Sequence, residues 1–495
     1  MTLSRRTFFS IAGLPLVLTS MSAHAVPTKT PNKYDGEYDV VIVGAGGAGL
    51  SAACAAAENG AKVLVLEKNI FVGGSSLITD GMFATQGTKD QKKKGIEDSP
   101  ELYAKDLYET GLNFSEKGLP EALAAASLKE YEWLTEVLGV KPFALVHQGG
   151  STVPRCHQFK APDVIKAMEK YAKERGVVIL NGLSGKRLFW DDVKQKICGV
   201  LAVTNKGENK NYLAKKAVIL TSGGFSRNPD VLKRFNPYLK EVQVLSGSGS
   251  MGEGLLMAQA YGADVRDMNF IEATFGAKPG MKSIDELSFM HFSGGIVVNK
   301  NSKRFVNESK TYMEISHEAV RQPGGKVFTV FDKAIAAKAV NETPELARMW
   351  KVLMEGKVPD YVFSGNSVEE VARKAGLDGK ALAESIDKYN ADVEKGRDLE
   401  YGREHLEGKN GKLLKISEAP FYIFPTSNAI FGTYCGLLFN PKAQVIDVFG
   451  DPIPGLYAAG EVTGGLHGAG YVSGSGYAKA LSFGRVAGLE ASSQA

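Results

Sequence analysis

The chain has 495 residues, of which 44% are hydrophobic and 23% are charged, and its formal net charge is +4. This length exceeds what one hydrophobic core supports, so the sequence predicts several domains, and the composition excludes a disordered chain or a multi-span membrane protein. The small net charge gives no indication of a nucleic-acid partner.

The first 25 residues have the pattern of an export signal. Arg5 and Arg6 precede an apolar stretch that is too short to span a bilayer and that ends in Ala23-His24-Ala25. This pattern predicts twin-arginine export to the periplasm with cleavage after Ala25, and an uncleaved anchor is the alternative. Cleavage would remove two arginines and no acid, which lowers the net charge from +4 to +2. Residues 26–37 are predicted to be a polar linker.

The next segment predicts a dinucleotide-binding turn. An apolar strand, Val40–Val43, leads into three spaced glycines, a helix of small residues and a second strand that ends in an acid. Glycines at this spacing let the helix N-terminus approach a pyrophosphate, and the acid can accept hydrogen bonds from ribose hydroxyls. The predicted cofactor-binding residues here are Gly44, Gly46, Gly47, Ala48, Gly49, Glu67 and Lys68.

Further glycine-rich segments favour FAD over NAD. The run "IFVGGSSLITDGMFA" offers additional backbone and hydroxyl donors, and two later apolar strands end in "SGG" and "AAGE". Near the C-terminus, a predicted helix start is placed to stabilise the pyrimidine end of a flavin. The additional predicted cofactor-binding residues are Gly73, Gly74, Ser75, Ser76, Gly81, Ser222, Gly223, Gly460, Glu461, Ser475, Gly476 and Tyr477. The sequence therefore predicts an α/β nucleotide-binding domain that is assembled from both ends of the chain.

Residues 38–495 resemble the FAD-containing subunits of the fumarate reductase and succinate dehydrogenase superfamily, above all the soluble periplasmic flavocytochrome c type. The resemblance is carried by segments such as "DVVIVGAGGAGLSAA", "TSGGFSRNP" and "GLYAAGEVTGGLHGA". It implies a discontinuous Rossmann-like FAD-binding domain, residues 38–269 and 431–495, with an inserted α+β capping domain, residues 270–430. It also implies hydride exchange between flavin N5 and a carbon of an activated double bond. The chain has no haem motif, so we expect electrons from an external protein such as a c-type cytochrome.

The substrate-binding positions depart from that family. Its members hold two substrate carboxylates with arginines and a histidine, and another arginine delivers a proton. Here His291 and Ser288 stand where an arginine and a glutamate are expected, and Tyr312 aligns with the proton-donating arginine. The carboxylate-binding histidine aligns near Gly432, and Tyr471 replaces the last arginine. We therefore predict Tyr312 as the proton donor, with Tyr471 and His291 binding a substrate carbonyl.

These replacements argue against fumarate as the substrate. A carboxylate that leaves water without a paired cation is strongly disfavoured, and a phenol cannot imitate a bidentate arginine. We expect a neutral or mono-anionic conjugated alkene that is reduced in anaerobic respiration. The tyrosines are similar to those of 3-ketosteroid dehydrogenases, which leaves a ketosteroid-type desaturase as an alternative. A non-catalytic FAD electron-transfer protein is a second alternative.

Several site assignments have structural alternatives. Tyr312 could pack within the capping domain, and His291 could be a hydrogen-bonded structural histidine. Arg155 and His157 are expected to hold a loop over the flavin, with substrate contact as the alternative. Residues 73–84 contain no histidine, so the FAD is predicted to be non-covalent. The cysteines, at positions 54, 156, 198 and 435, are too widely spaced for a zinc or haem motif, and no metal site is predicted.

Overall fold

A computed structural model of the chain describes residues 28–239, 242–271, 273–283, 286–342, 347–406 and 411–494. The predicted export signal lies outside these residues. Within them, no helix combines the length and the apolar character that a membrane crossing requires.

The elements alternate between short strands and helices along the chain. The strands are β1 (Thr28–Lys29), β2 (Gly36–Val43), β3 (Val63–Glu67), β4 (Met82–Ala84), β5 (Ala144–Val146), β6 (Cys156–Gln158), β7 (Val178–Asn181), β8 (Leu183–Asp191), β9 (Lys196–Thr204), β10 (Asn209–Leu220), β11 (Gln243–Val244), β12 (Val265–Arg266), β13 (Thr274–Ala277), β14 (Ile296–Asn299), β15 (Val327–Asp332), β16 (Phe363–Gly365), β17 (Phe421–Ile430), β18 (Gly436–Leu437), β19 (Gln444–Ile446) and β20 (Pro452–Ala458). The α-helices are α1 (Gly47–Glu58), α2 (Gly74–Leu77), α3 (Lys89–Lys93), α4 (Pro100–Thr110), α5 (Leu119–Glu132), α6 (Ala161–Glu174), α7 (Pro229–Phe235), α8 (Glu253–Gln259), α9 (Tyr312–Ala319), α10 (Lys333–Glu342), α11 (Lys351–Met354), α12 (Val368–Lys374), α13 (Gly379–Glu394) and α14 (Ser475–Ser492).

The larger sheet joins the beginning and the end of the described chain. Its strand order is β1-β8-β9-β10-β2-β3-β7, and β20 pairs in parallel with the end of β10. Strands β10, β2, β3 and β7 are mutually parallel, and every residue of β3 is buried. A parallel sheet that is covered on both faces requires such continuous apolar strands. The α/β class predicted from the sequence is confirmed.

Helices α1 and α14 pack closely beside this sheet because small residues line their contact. A Cβ atom at Gly484 would lie 2.4 Å from the carbonyl oxygen of Ala48, and one at Gly488 would lie 2.2 Å from that of Ala52. Only glycine lets the two backbones approach this closely. The packing therefore fixes the N-terminus of α14 near the glycine turn that precedes α1.

The smaller sheet has the strand order β11-β17-β15-β14, and β13 and β16 also pair with β17. Helices α10 to α13 cover it around a buried core that includes Phe331, Trp350 and Phe424. Strand β11, which the sequence analysis assigned to the FAD-binding domain, pairs in parallel with β17 and so belongs to this sheet. Residues from both sheets line one cavity.

Candidate active site

The cavity has a volume of about 620 Å³ and is lined by two chemically distinct groups of residues. The first group is formed by the predicted FAD-binding segments. The second group consists of aromatic and polar side chains around Tyr312, Tyr434 and Tyr471. The lining residues from the predicted cofactor set are Gly44, Gly46, Gly47, Ala48, Glu67, Lys68, Gly74, Ser75, Ser76, Ser222, Gly223, Gly460, Glu461, Gly476 and Tyr477.

The turn between β2 and α1 requires glycine because its backbone leaves no room for a side chain. Gly44 has a φ of +108°, and a Cβ atom at Gly49 would lie 1.9 Å from the carbonyl oxygen of Gly44. Helix α1 begins at Gly47, and its N-cap residue, Gly46, has no side chain that could cap the N–H groups of the first turn. A helix N-terminus of this kind attracts phosphate.

Glu67 is fixed at the end of β3 by the backbone around it. Its Oε2 accepts a hydrogen bond from the N–H of Ala45 at 2.9 Å, and its Oε1 accepts one from the N–H of Asn69 at 2.8 Å. Each carboxylate oxygen has more than one acceptor position, so a ribose hydroxyl can still bind. The next residue, Lys68, forms an ion pair with Glu253 at 2.8 Å.

The serines that follow the second glycine pair connect separate walls of the cavity. Ser76 Oγ accepts a hydrogen bond from the N–H of Gly47 at 3.2 Å, and Ser75 Oγ accepts one from the N–H of Gly247 at 2.9 Å. Ser222 Oγ and the Tyr477 hydroxyl are buried without a hydrogen-bond partner among the described residues. Buried polar atoms normally have hydrogen-bond partners. The unpartnered hydroxyl groups of Ser222 and Tyr477 therefore fit a cavity that binds a polar cofactor such as FAD.

Four predicted cofactor-binding residues are not part of the cavity lining. Gly73 forms a bridge with Gly46, and Gly81, with a φ of +76°, packs against the backbone of Phe159. Ser475 begins α14, and Gly49 contacts the turn already described. Their role in the structure is to shape the backbone that surrounds the cavity.

The phenol of Tyr471 lies at the N-terminus of α14. Its hydroxyl oxygen accepts a hydrogen bond from the N–H of Gly476 at 3.2 Å, and the helix begins without a side-chain cap after Gly474. The partial positive charge of a helix N-terminus therefore acts on this oxygen. Because Tyr471 lines the cavity, the structure brings it to the predicted substrate-binding region.

Tyr434 forms an aromatic cluster with Tyr471 and His467 that the sequence analysis missed. The ring centroids of Tyr434 and Tyr471 are 4.5 Å apart, and the His467 ring lies 5.5 Å and 5.2 Å from them. Tyr434 has a φ of +51°, which is uncommon for a bulky residue and is often found at functional sites. From the sequence, only Gly432 of this segment is predicted to lie at the substrate site. The sequence feature that could have indicated Tyr434 is an aromatic residue between two glycines, in "FGTYCG".

Tyr312 is the first residue of α9 and lines the same cavity. Thr311 and Glu314 form a reciprocal capping box at this helix start, which fixes where the helix begins. The preceding segment is anchored by Arg304, whose buried guanidinium pairs with Glu308 at 2.7 Å and with Asp398 at 2.8 Å. Arg304 thus acts as a structural residue that holds the approach to Tyr312.

The structure does not bring His291 to the cavity wall. Its ring is fully buried among Phe275, Phe289 and Phe292, at centroid distances of 5.1, 6.2 and 4.1 Å. Phe289 and Phe292 line the cavity instead. Burial and the nearby Arg403 charge lower the pKa of His291 to about 3, so its imidazole is neutral. His291 is not among the described lining residues, and its contact with a substrate carbonyl stays a prediction.

Arg155 is a buried anchor for a loop of the cavity wall. Its guanidinium Nη2 lies 3.0 Å from Asp98 and from Asp106, and Asp106 also accepts a hydrogen bond from the N–H of Thr152 at 2.7 Å. The loop that it holds, residues 148–150, lines the cavity, whereas Arg155 and His157 do not. Arg155 is thus linked to this loop through Asp106, whereas the His157 ring contacts Thr88 Oγ1 and the carbonyl oxygen of Arg155, each at 2.9 Å. The loop-holding role of both residues stays a prediction.

Lys479 is a buried cation in the cavity wall that the sequence did not indicate. Its Nζ donates a hydrogen bond to the carbonyl oxygen of Thr463 at 2.7 Å, and only 2% of the residue is exposed. Burial lowers the pKa of Lys479 to about 8. Burial also lowers the pKa of His467 well below its usual value, and the charge of Lys479 adds to that shift.

The cysteines of the described residues are all buried free thiols. No cluster of residues that could hold a metal ion is present in the described ranges.

Comparisons with known proteins identify the family. The FAD binding domain family matches residues 39–476. A fumarate reductase (cytochrome) of Shewanella frigidimarina is 32% identical over 92% of this chain and 76% of its own length. The chain belongs to this flavoprotein family. It is therefore an FAD-dependent oxidoreductase, and the resemblance found from the sequence is confirmed.

Two other similar proteins act on different molecules. The urocanate reductase of Eggerthella lenta is 29% identical over 95% of this chain and 77% of its own length. The structure of a 3-ketosteroid-Δ4-(5α)-dehydrogenase from Rhodococcus jostii RHA1, in complex with 4-androstene-3,17-dione, has a TM-score of 0.77 and 25% identity and covers 94% of this chain and 100% of its own. One scaffold is thus shared by proteins named for a dicarboxylate, an imidazole acrylate and a steroid.

Proposed function

We propose that this protein is a periplasmic FAD-dependent reductase that transfers a hydride to the conjugated C=C bond of an organic acceptor that is not a dicarboxylate. The proposal includes an external redox protein, such as a c-type cytochrome, as the electron donor, and a role in anaerobic respiration. The relatives support the reaction class, because they include reductases named for fumarate and urocanate.

The observation that carries the proposal is the lining of the cavity. Among the described lining residues there is no arginine, and the phenols of Tyr312, Tyr434 and Tyr471 line the cavity together with Phe289 and Phe292. A second carboxylate in this environment would lack a bidentate cation, and the desolvation of such a charge costs several kcal/mol. Flat aromatic walls instead favour a planar conjugated substrate.

The roles of the chain's own residues follow from their positions. Bound FAD, once reduced by the donor protein, would supply the hydride from N5, and the product would need one proton and stabilisation of the charge that develops on its conjugated oxygen. Tyr471, which receives a hydrogen bond from the N-terminus of α14, would donate to that oxygen together with Tyr434. Tyr312 would donate the proton to the adjacent carbon, because a phenolic hydroxyl group can act as a general acid.

The location and the electron donor are proposed on sequence grounds. The twin-arginine pattern supports export of the folded, FAD-loaded protein, and the sequence contains no haem motif that could carry electrons within the chain. A donor protein would therefore dock transiently near the flavin.

A ketosteroid-type desaturase is the second candidate. It is favoured by the Tyr434–Tyr471 pair and by the similarity to the 3-ketosteroid dehydrogenase structure. The two functions use the same binding site and differ in the direction of hydride transfer.

The decisive experiment is an anaerobic assay of the FAD-loaded protein with reduced viologen. The acceptor panel would contain an enone, cinnamate, urocanate and fumarate, and a parallel assay would offer a 3-ketosteroid with an oxidised dye. We expect viologen oxidation with at least one neutral or mono-anionic acceptor. Ketosteroid oxidation alone would establish the desaturase, and failure of every substrate would support a non-catalytic electron-transfer protein.

A further inference from the structure

His467 differs from the other described histidines in lining the cavity while keeping one ring nitrogen without a partner. Only 1% of the residue is exposed, and Nε2 has no hydrogen-bond partner within the described ranges. His157 provides the contrast: its Nε2 contacts Thr88 Oγ1 at 2.9 Å, and its Nδ1 contacts the carbonyl oxygen of Arg155 at 2.9 Å. Both ring nitrogens of His291 also lack a partner among the described residues, but His291 does not line the cavity. A buried polar atom without a protein partner, in a residue that lines a cavity, can be satisfied by a ligand.

The tautomer of His467 follows from its neighbour. The Ser475 hydroxyl donates to the carbonyl oxygen of Val472 at 2.5 Å, and the same Oγ lies 3.4 Å from His467 Nδ1. Because a serine has one hydroxyl proton, the contact with the imidazole requires the proton to be on Nδ1. Nε2 is then a lone-pair acceptor.

The surroundings of His467 keep the ring neutral. Burial lowers its pKa well below the usual value, and the cation of Lys479 lowers it further. A neutral imidazole with a free Nε2 lone pair can accept a proton donor but repels a carboxylate oxygen, which is also an acceptor. The contact therefore selects a hydroxyl or N–H group.

We propose that His467 is a substrate-binding residue whose Nε2 accepts a hydrogen bond from the phenolic hydroxyl of an aromatic conjugated substrate. The rings of Tyr434 and Tyr471, 5.5 Å and 5.2 Å from the imidazole, provide the aromatic walls beside it. This inference rests on the proposed reductase function and narrows its substrate class.

A pair of neutral enones that differ by one hydroxyl group tests this contact. The dissociation constants of 4-hydroxybenzylideneacetone and benzylideneacetone are measured by perturbation of the FAD absorbance of the oxidised holoenzyme. We expect the hydroxylated enone to bind at least tenfold more tightly. His467→Phe should weaken binding of the hydroxylated enone about tenfold or more and leave the other within about twofold. His467→Gln, which keeps an acceptor near Nε2, should retain part of the preference.

The control is His157→Gln, which alters a buried histidine outside the cavity and should leave the ratio of the two constants unchanged. FAD content and flavin midpoint potential should match the wild type in both His467 variants. The inference is overturned by equal binding of the two enones to the wild type, by equal weakening of both in the variants, or by a shifted midpoint potential, which would place Nε2 against the flavin. If His467→Phe does not retain FAD, the ratio of the two dissociation constants in His467→Gln is the test of the inference. The binding ratio does not depend on turnover, so failure of the viologen assay refutes the function separately.

Discussion

Replacement of Tyr312 by phenylalanine tests the proton-donor assignment most directly. The substitution keeps the ring at the start of α9 but removes its hydroxyl group, while the capping box of Thr311 and Glu314 stays intact. A general acid contributes about 10²- to 10⁴-fold to a rate, which corresponds to roughly 2.7 to 5.4 kcal/mol in the barrier. We therefore expect kcat for the best acceptor to fall by that factor, with FAD content unchanged.

The assay is steady-state viologen oxidation under anaerobic conditions, with FAD content measured from absorbance. Glu314→Ala is the matched control, because it removes half of the capping box without touching the phenol. Loss of a cap costs about 0.5 to 2 kcal/mol of stability, so this variant should melt earlier and retain kcat within about twofold. If Tyr312→Phe reduces the best acceptor at the wild-type rate, Tyr312 lines the cavity but does not donate the proton. A large kcat loss in Glu314→Ala would show that helix placement, rather than the proton, is decisive.

Three further predictions use different properties of the chain. Acid precipitation should release the yellow chromophore into the supernatant, and colour in the pellet would show a covalent link. Fumarate should be reduced with a kcat/KM about 10² to 10⁴ below that of the best acceptor, because two missing charge-assisted contacts are each worth roughly 1.5 to 3 kcal/mol; comparable kinetics for both would refute this reasoning. Lys479 has a folded-state pKa of about 8 against an unfolded value near 10.4, so the unfolded chain binds more protons between these limits. Its unfavourable contribution should therefore shrink as the pH rises from 8 to 10, and urea unfolding should show wild-type stability rising relative to Lys479→Met. A pH-independent difference between the two would contradict the burial of a charged Lys479.

The nucleotide-binding part of the fold was predictable because its determinants are local. Gly44 and Gly49 lie within one turn, and the positive φ and the close approach that require glycine there are properties of that turn alone. Glu67 was found for the same reason, since its distance along the chain from the glycines is set by one helix and one strand. The contribution of the C-terminal segment was predictable only through the resemblance to a family.

The aromatic cluster was not predictable by the same reasoning. Tyr434 meets Tyr471 only after β17 and the N-terminus of α14 are placed, and nothing in "FGTYCG" indicates the positive φ of Tyr434. For His291, the position in the motif was predictable but the direction of the side chain was not. Phe289 and Phe292 line the cavity, whereas the imidazole of His291 is buried. Alignment gives the position of a residue along the chain, whereas the direction of its side chain depends on packing from other elements.

The electrostatics of the cavity give the physical reason for proposing a substrate that is not a dicarboxylate. An arginine supplies a full charge and two parallel donors, which suit a carboxylate. Tyr471 supplies one neutral donor that is polarised by the N–H of Gly476, and a helix N-terminus contributes typically 0.3 to 1 kcal/mol. That is enough to favour partial charge on a carbonyl oxygen but too little to offset the desolvation of a carboxylate. Lys479, a buried cation among the described lining residues, already donates a hydrogen bond to the carbonyl oxygen of Thr463.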